Sequence, residues 1–386
     1  MTQTIAMLVD AYRELNARKM FWIVLFLSLI FVASMASVGI NERGLTIFIW
    51  ELPTAWFNTK VIDRGTFYKT MFISLGFQIW LTWAATILAL ISTAGIIPDF
   101  IGSGAIELTL SKPIGRVRLF LTKYATGLLF VTLQVSIFAV ASFFVIGIRG
   151  GAWLPGLFLS VPLVVVFFSY LYCMATLIGL LTRSTVASLL MTILLWGLIF
   201  MLHLSETGIV LQMKVQQDIK VELLEADIQS RESEVDRLRN EQADRPRDDE
   251  PDARDERRLQ RLESTLARRR KSLEESRHSQ RLLTRAHRIL FAAKTILPKT
   301  SETMDLLQRQ LISSTELEGL QDAAAQGQNL DLGSDPDDVR VPQRRVMKEV
   351  TDIVNGRSVA WVMGTSLAFE LVILTLACGI FVRRDF

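Results

Sequence analysis

The chain has 386 residues, 50% of them hydrophobic and 21% charged, with 42 Lys and Arg against 39 Asp and Glu and a formal net charge of +3. A mean hydropathy of +0.33 is too apolar for an ordinary soluble chain with so many charges, so apolar and charged residues must be segregated along the sequence. The weak positive charge comes largely from cations beside apolar runs, which excludes nucleic acid as the implied partner, and the two cysteines, Cys173 and Cys378, exclude a disulfide framework or a thiolate metal cluster.

In the first eighteen residues Ile5, Met7, Leu8, Ala11, Tyr12 and Leu15 recur at helical spacing against Asp10, Arg13, Glu14 and Arg18. This pattern predicts a helix lying at a membrane interface. Six apolar runs follow, about Met20–Ile40, Thr70–Ile97, Leu119–Ile148, Trp153–Leu181, Val186–Leu204 and Val359–Phe381. Each is long enough to cross a hydrocarbon core of ~30 Å at ~1.5 Å per residue. Backbone amides in lipid have only each other as partners, so each crossing must be a helix. A cleaved leader is the rival reading of the first run, but that run is longer than a signal core.

Between the second and third runs lies a polar island, residues 99–124, DFIGSGAIELTLSKPIGRVRLFLTKY. Leu108, Leu110, Val117, Leu119, Phe120 and Leu121 give it purchase on a membrane surface. Glu107, Ser111, Lys112, Arg116 and Arg118 offer polar and ionic contacts to a partner, and Pro113 fixes a bend. The bland alternative is a basic loop held by anionic lipid.

Orientation follows from the cations of the short connections. Arg13, Arg18 and Lys19 precede the first span, the island carries Lys112, Arg116, Arg118 and Lys123, Arg183 lies between spans four and five, and Arg383 and Arg384 follow the sixth. With six crossings these sites share one side, the cytoplasm, so both termini are inside and residues 205–358 are outside. The expected organisation is therefore residues 1–204 with five spans, 205–358 as an extracytoplasmic insertion, and 359–386 as the sixth span and a short tail.

The middle of the insertion is almost wholly charged. Two arms, about Val210–Glu241 and Asp252–Leu290, flank the helix-breaking Pro246 and Pro251. Val221, Leu224, Ile228, Val235 and Leu238 alternate three- and four-residue steps in the first arm, and Leu259, Leu262, Leu266 and Leu273 do so in the second. Folding the arms back about position 247 sets Val235 against Leu259, Ile228 against Leu266, Val221 against Leu273 and Arg231 against Glu263. The expectation is an antiparallel coiled-coil hairpin over about 210–290; the alternative is a solvated charged tract. Beyond it, Pro298 ends a helical run, Ser301 caps another near Glu302–Leu311 that rests on the outer surface of the bundle, and Gln326–Pro342 reads as a loop.

Within the spans the exceptional residue is Glu370, since an ionised side chain at the centre of a bilayer costs ~3 kcal/mol or more, which assigns it to the protein interior as a coupling or pathway residue or a structural partner. Gln78 and Gln134 are intramembrane polar residues of the kind that glue helices together. No G-x-x-x-x-G-K-[ST] loop, histidine–acid metal pair or nucleophile motif is present in the sequence, so no enzyme activity and no cofactor bound by this chain are expected.

The stretch SGAIELTLSKPIGRVRLFLTKY resembles the segment between the second and third spans of ABC-2 type permeases, the six-span subunits of one class of ATP-binding-cassette transporter. FVRRDF is similar to that family's exit from its last span, and ILPKT resembles a short segment ahead of it. The resemblance implies an all-α, six-span bundle in a bacterial inner membrane, an ATPase partner contacted through Glu107, Ser111, Lys112, Pro113, Arg116 and Arg118, ATP bound on that partner, pairing of two permease copies, and export. The charged hairpin is not part of the family pattern. It leaves a second reading, in which ATP hydrolysis levers the hairpin against an envelope partner with no transport, and a third, a passive anchor presenting a coiled coil.

Overall fold

The structure, a computed structural model, describes residues 19–48, 50–53, 59, 62–102, 115–243, 253–311, 339 and 341–384. The expected interfacial helix before residue 19, the Pro246–Pro251 bend and most of the 326–342 loop lie outside the described residues. Among the described residues six helical runs are long and apolar enough to cross a membrane: Lys19–Ser37, Arg64–Gly102, Arg116–Gly150, Pro155–Thr182, Thr185–Ala243 and Val359–Arg383. The chain divides into two compact units, Met1–Phe200 with Thr295–Asn329 and Ser358–Phe386, and Met201–Lys294 with Leu330–Arg357.

In the first unit, α1 (Lys19–Ser37) ends three residues before the sequence-predicted limit and gives way to a small antiparallel sheet, β1 (Val38–Asn41), β2 (Gly44–Ile47) and β3 (Trp50–Pro53), in the order β1-β2-β3. An all-helical expectation missed this sheet. Val38, Ile40, Thr46 and Ile47 are β-branched, and Asn41 Oδ1 accepts from the amides of Arg43 and Gly44, each at 2.9 Å, which closes the two-residue turn. The register pairs Val38 with Ile47 and Leu45 with Leu52.

Then follow α2 (Arg64–Gly102), α3 (Arg116–Gly150), α4 (Pro155–Thr182) and the membrane part of α5 (Thr185–His203). Asp63 caps α2 by accepting from Gly65 N at 2.9 Å, and α2 is π-helical over Phe72–Ala85. Gly151 takes φ 69° where α3 stops, a left-handed value that suits a residue without Cβ. Helix α4 is the central element: Tyr170, Leu171, Tyr172, Cys173 and Ala175 are all at most 1% exposed. A helix apolar on every face belongs inside a bundle. It packs against α3 and against the last span, α10 (Val359–Arg383), whose amide at Trp361 is capped by Ser358 Oγ at 3.2 Å.

Lipid is as apolar as leucine, so close packing and interhelical hydrogen bonds hold such helices together, and burial alone does not. Gly127 on α3 shows the closeness: a Cβ there would stand 2.5 Å from the ring of Tyr172 on α4. Faces turned away from the bundle remain apolar, with Trp22, Phe26, Leu190, Leu194 and Leu371 exposed, as lipid contact requires.

The helix α8 (Thr300–Leu311) starts one residue before the expected Ser301 cap and is more than a surface element. Met304, Leu306, Leu307 and Leu311 enter the main core cluster of the first unit, and Lys299 just before it is 1% exposed, with its Nζ 2.5 Å from Thr365 Oγ1 and over the Trp361 ring. Apolar residues at three- and four-residue steps give α8 one strongly apolar face, which has to be covered.

The second unit contains α6 (Gln212–Ala243), preceded by the π-helical stretch Leu204–Leu211, then α7 (Ala253–Ile296) and α9 (Gln343–Asn355). Leu211, Val215 and Ile219 recur every four residues along the α6 side, and Val346, Val350 and Val354 do so on α9; together they form one apolar cluster. Arg345 adds an ion pair to Glu222 at 2.6 Å. Sequence reading assigned no helix to residues 343–355.

Candidate functional site

Of the residues expected to contact an ATPase, Glu107, Ser111, Lys112 and Pro113 lie outside the described residues. Arg116 and Arg118 open α3. Arg118 is exposed, whereas Arg116 Nη1 donates to two carbonyls at the end of α10, Val382 O at 2.9 Å and Arg384 O at 3.0 Å. Arg384 in turn donates through Nη1 to Leu180 O near the end of α4. Terminal carbonyls of a helix have no intrahelical donors and carry partial negative charge, so guanidinium groups are their natural partners. The result is a clasp of two arginines joining the start of α3 to the end of α10 and the end of α10 to the end of α4.

The intramembrane polar residues do not share partners. Gln134 Nε2 donates to Phe21 O at 3.1 Å and ties α3 to α1, and Gln78 Nε2 donates to Gln308 Oε1 at 2.6 Å and ties α2 to α8. Both act as interhelical glue. Glu370 is different: it is 9% exposed on α10 and meets two hydroxyls from two other helices. Tyr124 Oη on α3 lies 2.9 Å from Oε1, and Ser169 Oγ on α4 lies 2.8 Å from Oε2. Tyr124 stacks on Tyr172 with ring centroids 5.0 Å apart, and Tyr172 stacks on Phe168 at 5.6 Å, so an aromatic column walls one side of the acid.

In the second unit α6 and α7 run antiparallel and meet through side chains. Asp218, Glu225, Asp227 and Arg239 bond Gln280, Arg277, Arg269 and Glu263, so partner numbers fall as α6 rises. Ile228, Val235 and Leu266 are buried together, with Leu262 and Leu273 packed on them. Of the six expected seam residues, Ile228, Val235, Leu266 and Leu273 share this cluster, Val221 is buried at 7%, and Leu259 is half-buried outside it. One expected pair is corrected. Glu263 takes Arg239 at 2.6 Å, because Arg231 is already held by Asp227 one turn earlier at 2.9 Å.

At the base of these arms lies a buried ionic cluster that sequence reading did not find. The side chain of Glu206 is 0% exposed. Its Oε2 receives Lys294 Nζ at 2.8 Å and Thr207 Oγ1 at 2.6 Å, and its Oε1 receives Arg357 Nη2 at 2.8 Å. Lys294 also lies 2.8 Å from His203 Nδ1, so that nitrogen is an acceptor. His287 Nδ1 stands 3.5 Å from Glu206. Burial pushes the His287 imidazole below its ordinary value; Glu206 opposes the shift, and Lys214, Arg357 and Lys294 add to it. The available signal was the placement of Glu206, Lys294 and Arg357 beside apolar segments, where an isolated charge requires a partner.

Among the described residues no three His, Cys, Asp or Glu side chains gather in a metal-holding group. No protein-family model, characterised protein or solved structure matches this chain.

Proposed function

We propose that this chain is the membrane-spanning permease subunit of an ATP-binding-cassette transporter, of the ABC-2 kind, working as an exporter in a bacterial inner membrane. Two copies pair, each takes up a separate ATPase subunit through residues 99–124, and ATP is bound and hydrolysed on that subunit alone. Both termini face the cytoplasm. The arms over 210–290 form a coiled-coil hairpin in the opposite compartment.

The observation that supports this reading best is the arginine clasp. Arg116 lies within the segment assigned to the ATPase and is bonded to the end of α10, whose Arg384 is bonded to α4. A displacement of the segment is thereby delivered to the two helices that carry Glu370 and Ser169. A passive anchor has no use for such a connection, since a basic loop satisfied by lipid headgroups serves it equally well.

The test is copurification. The chain with a photoreactive residue at position 107, expressed in its native host, should crosslink to an ATPase subunit and copurify with it. Glu107→Lys and Arg116→Glu should each weaken the association. Recovery of the protein with no nucleotide-binding subunit, and indifference to both reversals, would refute the reading.

The apolar seam between α6 and α7 favours the mechanical reading as a second one. Ile228, Val235 and Leu266, buried together, brace arms that at ~1.5 Å per residue extend ~45 Å, as a lever acting on an envelope partner would need. Removing residues 210–290 separates the two: an exporter keeps ATPase stimulation and some flux, whereas a lever hydrolyses ATP without output.

A further inference from the structure

We propose that Glu370 is a proton-binding site, holding its proton while α3, α4 and α10 are packed together and releasing it when they part. Four short contacts converge on two hydroxyls. Tyr124 Oη lies 2.9 Å from Glu370 Oε1 and 3.1 Å from Ser169 O, and Ser169 Oγ lies 2.8 Å from both Glu370 Oε2 and Val166 O. Each hydroxyl has one hydrogen to give, and an ionised carboxylate has none. With Glu370 ionised, two hydrogens face four acceptors, and the Ser169 hydroxyl must turn its lone pairs on either a carboxylate oxygen or a carbonyl at 2.8 Å.

A proton on Oε2 removes that conflict. Glu370 then donates to Ser169 Oγ, Ser169 donates to Val166 O, and Tyr124 donates to Oε1, so every contact of 2.9 Å or less holds one hydrogen. The charge environment agrees. The titratable groups facing the acid are Tyr124 from α3 and Tyr170 and Cys173 from α4, none of them a cation. Among the described residues no Lys, Arg or His is bonded to Glu370. An ion at this depth without a countercharge is expensive, whereas the neutral acid is satisfied.

The three helices supply one group each, so separation of any of them breaks the chain of hydrogen bonds and admits water. The proton then passes to water and the hydrated carboxylate remains. Binding a proton at Glu370 thus stabilises the closed packing, and opening discharges it. This inference does not depend on an ATPase partner.

Infrared difference spectroscopy of the full-length protein in lipid nanodiscs at neutral pH tests it. A protonated-carboxyl C=O band, shifted down in deuterium oxide, should be present in the native protein and missing from Glu370→Gln, with the carboxylate region unchanged. Loss of carboxylate absorption in the variant instead, or no change in either region, overturns the proposal. Tyr124→Phe and Ser169→Ala retain the acid while each removing one partner, and keep the test decisive if Glu370→Gln does not fold. Each should shift the C=O band to higher frequency, and an unmoved band in both variants counts against the site.

Discussion

The buried ionic cluster gives the sharpest energetic prediction. Glu206, Lys294 and Arg357 have side chains 0%, 5% and 8% exposed, so solvent screening discounts their interactions little. Lys294→Met removes the ammonium while keeping an unbranched chain of similar length, so packing changes least. Glu206 Oε2 then keeps only Thr207, while Oε1 keeps Arg357. Removing one partner of a buried ion pair costs about 3–5 kcal/mol, and the surviving Arg357 contact places this variant near about 3 kcal/mol. Glu206→Gln strips the countercharge from two buried cations at once and belongs near about 5 kcal/mol.

Hydrogen exchange reads this locally. At about 1.4 kcal/mol per tenfold, Lys294→Met should speed exchange of the amides around residues 207–215 and 287–294 by about a hundredfold. Amides around 228–240, toward the far end of the arms, should be little affected. A control variant, Arg258→Met, removes an ion pair whose arginine is 61% exposed and should change exchange at the base hardly at all. Acceleration of less than about threefold at the base, or equal acceleration along both arms, would refute the assignment of the cluster as the local anchor of this unit.

The remaining predictions concern the arms, the bundle and pH. Cysteines at 228 and 266 should form a disulfide readily under mild oxidation, because Ile228 and Leu266 are buried in one cluster, and absence of the crosslink in folded protein would break the register. Reversing the charge of Arg239 or of Glu263, both exposed, should leave that crosslink in place. Gly127→Ala should destabilise the bundle by about 1–3 kcal/mol, since the new Cβ would stand 2.5 Å from Tyr172; unchanged thermal unfolding in detergent would show that α3 and α4 are looser than described. Because His287 is held below its ordinary value of 6.5, the folded state prefers the neutral ring. Its contribution is full above that value and is lost as pH falls below it, where the unfolded chain takes up more protons. Exchange at the base of the arms should therefore accelerate on acidification from pH ~7.5 to ~5, and His287→Gln should flatten that dependence.

What the sequence disclosed and what it hid divide along physical lines. The six long apolar helices were legible because hydrocarbon demands a long apolar run, and all but the fifth, which continues to Ala243, begin and end close to those runs where polar residues mark the exit. The limit at Ile40 failed because β-branched residues, glycine and an Asn-led turn satisfy the backbone in a sheet just as well, over strands too short to show alternation. Helix α9 was overlooked although Val346, Val350 and Val354 lie at one helical turn apart, since a charged stretch beside a loop gave no reason to seek a buried face. Glu370 stood out as the acid in an apolar run. Its partners did not, because Tyr124 and Ser169 lie 246 and 201 residues away and no local pattern connects them.

The arms teach a finer distinction. Apolar seam residues have few places to hide, so a three–four repeat restricts which faces can meet, and Ile228 with Leu266 followed from it. Ionic partners are far less constrained. Long flexible side chains at nearly every other position offer each acid several cations within reach, and Asp227 serves both Arg231 on its own helix and Arg269 across the seam. Surface pairs of that kind contribute little each and can rearrange at little cost. The pairing of Glu206 with Lys294 and Arg357 cannot, because there is no water to replace a lost partner. Charges beside a span end are ordinarily read as markers of orientation; when they are buried, as at Glu206, the same residue types determine instead which segments are held together.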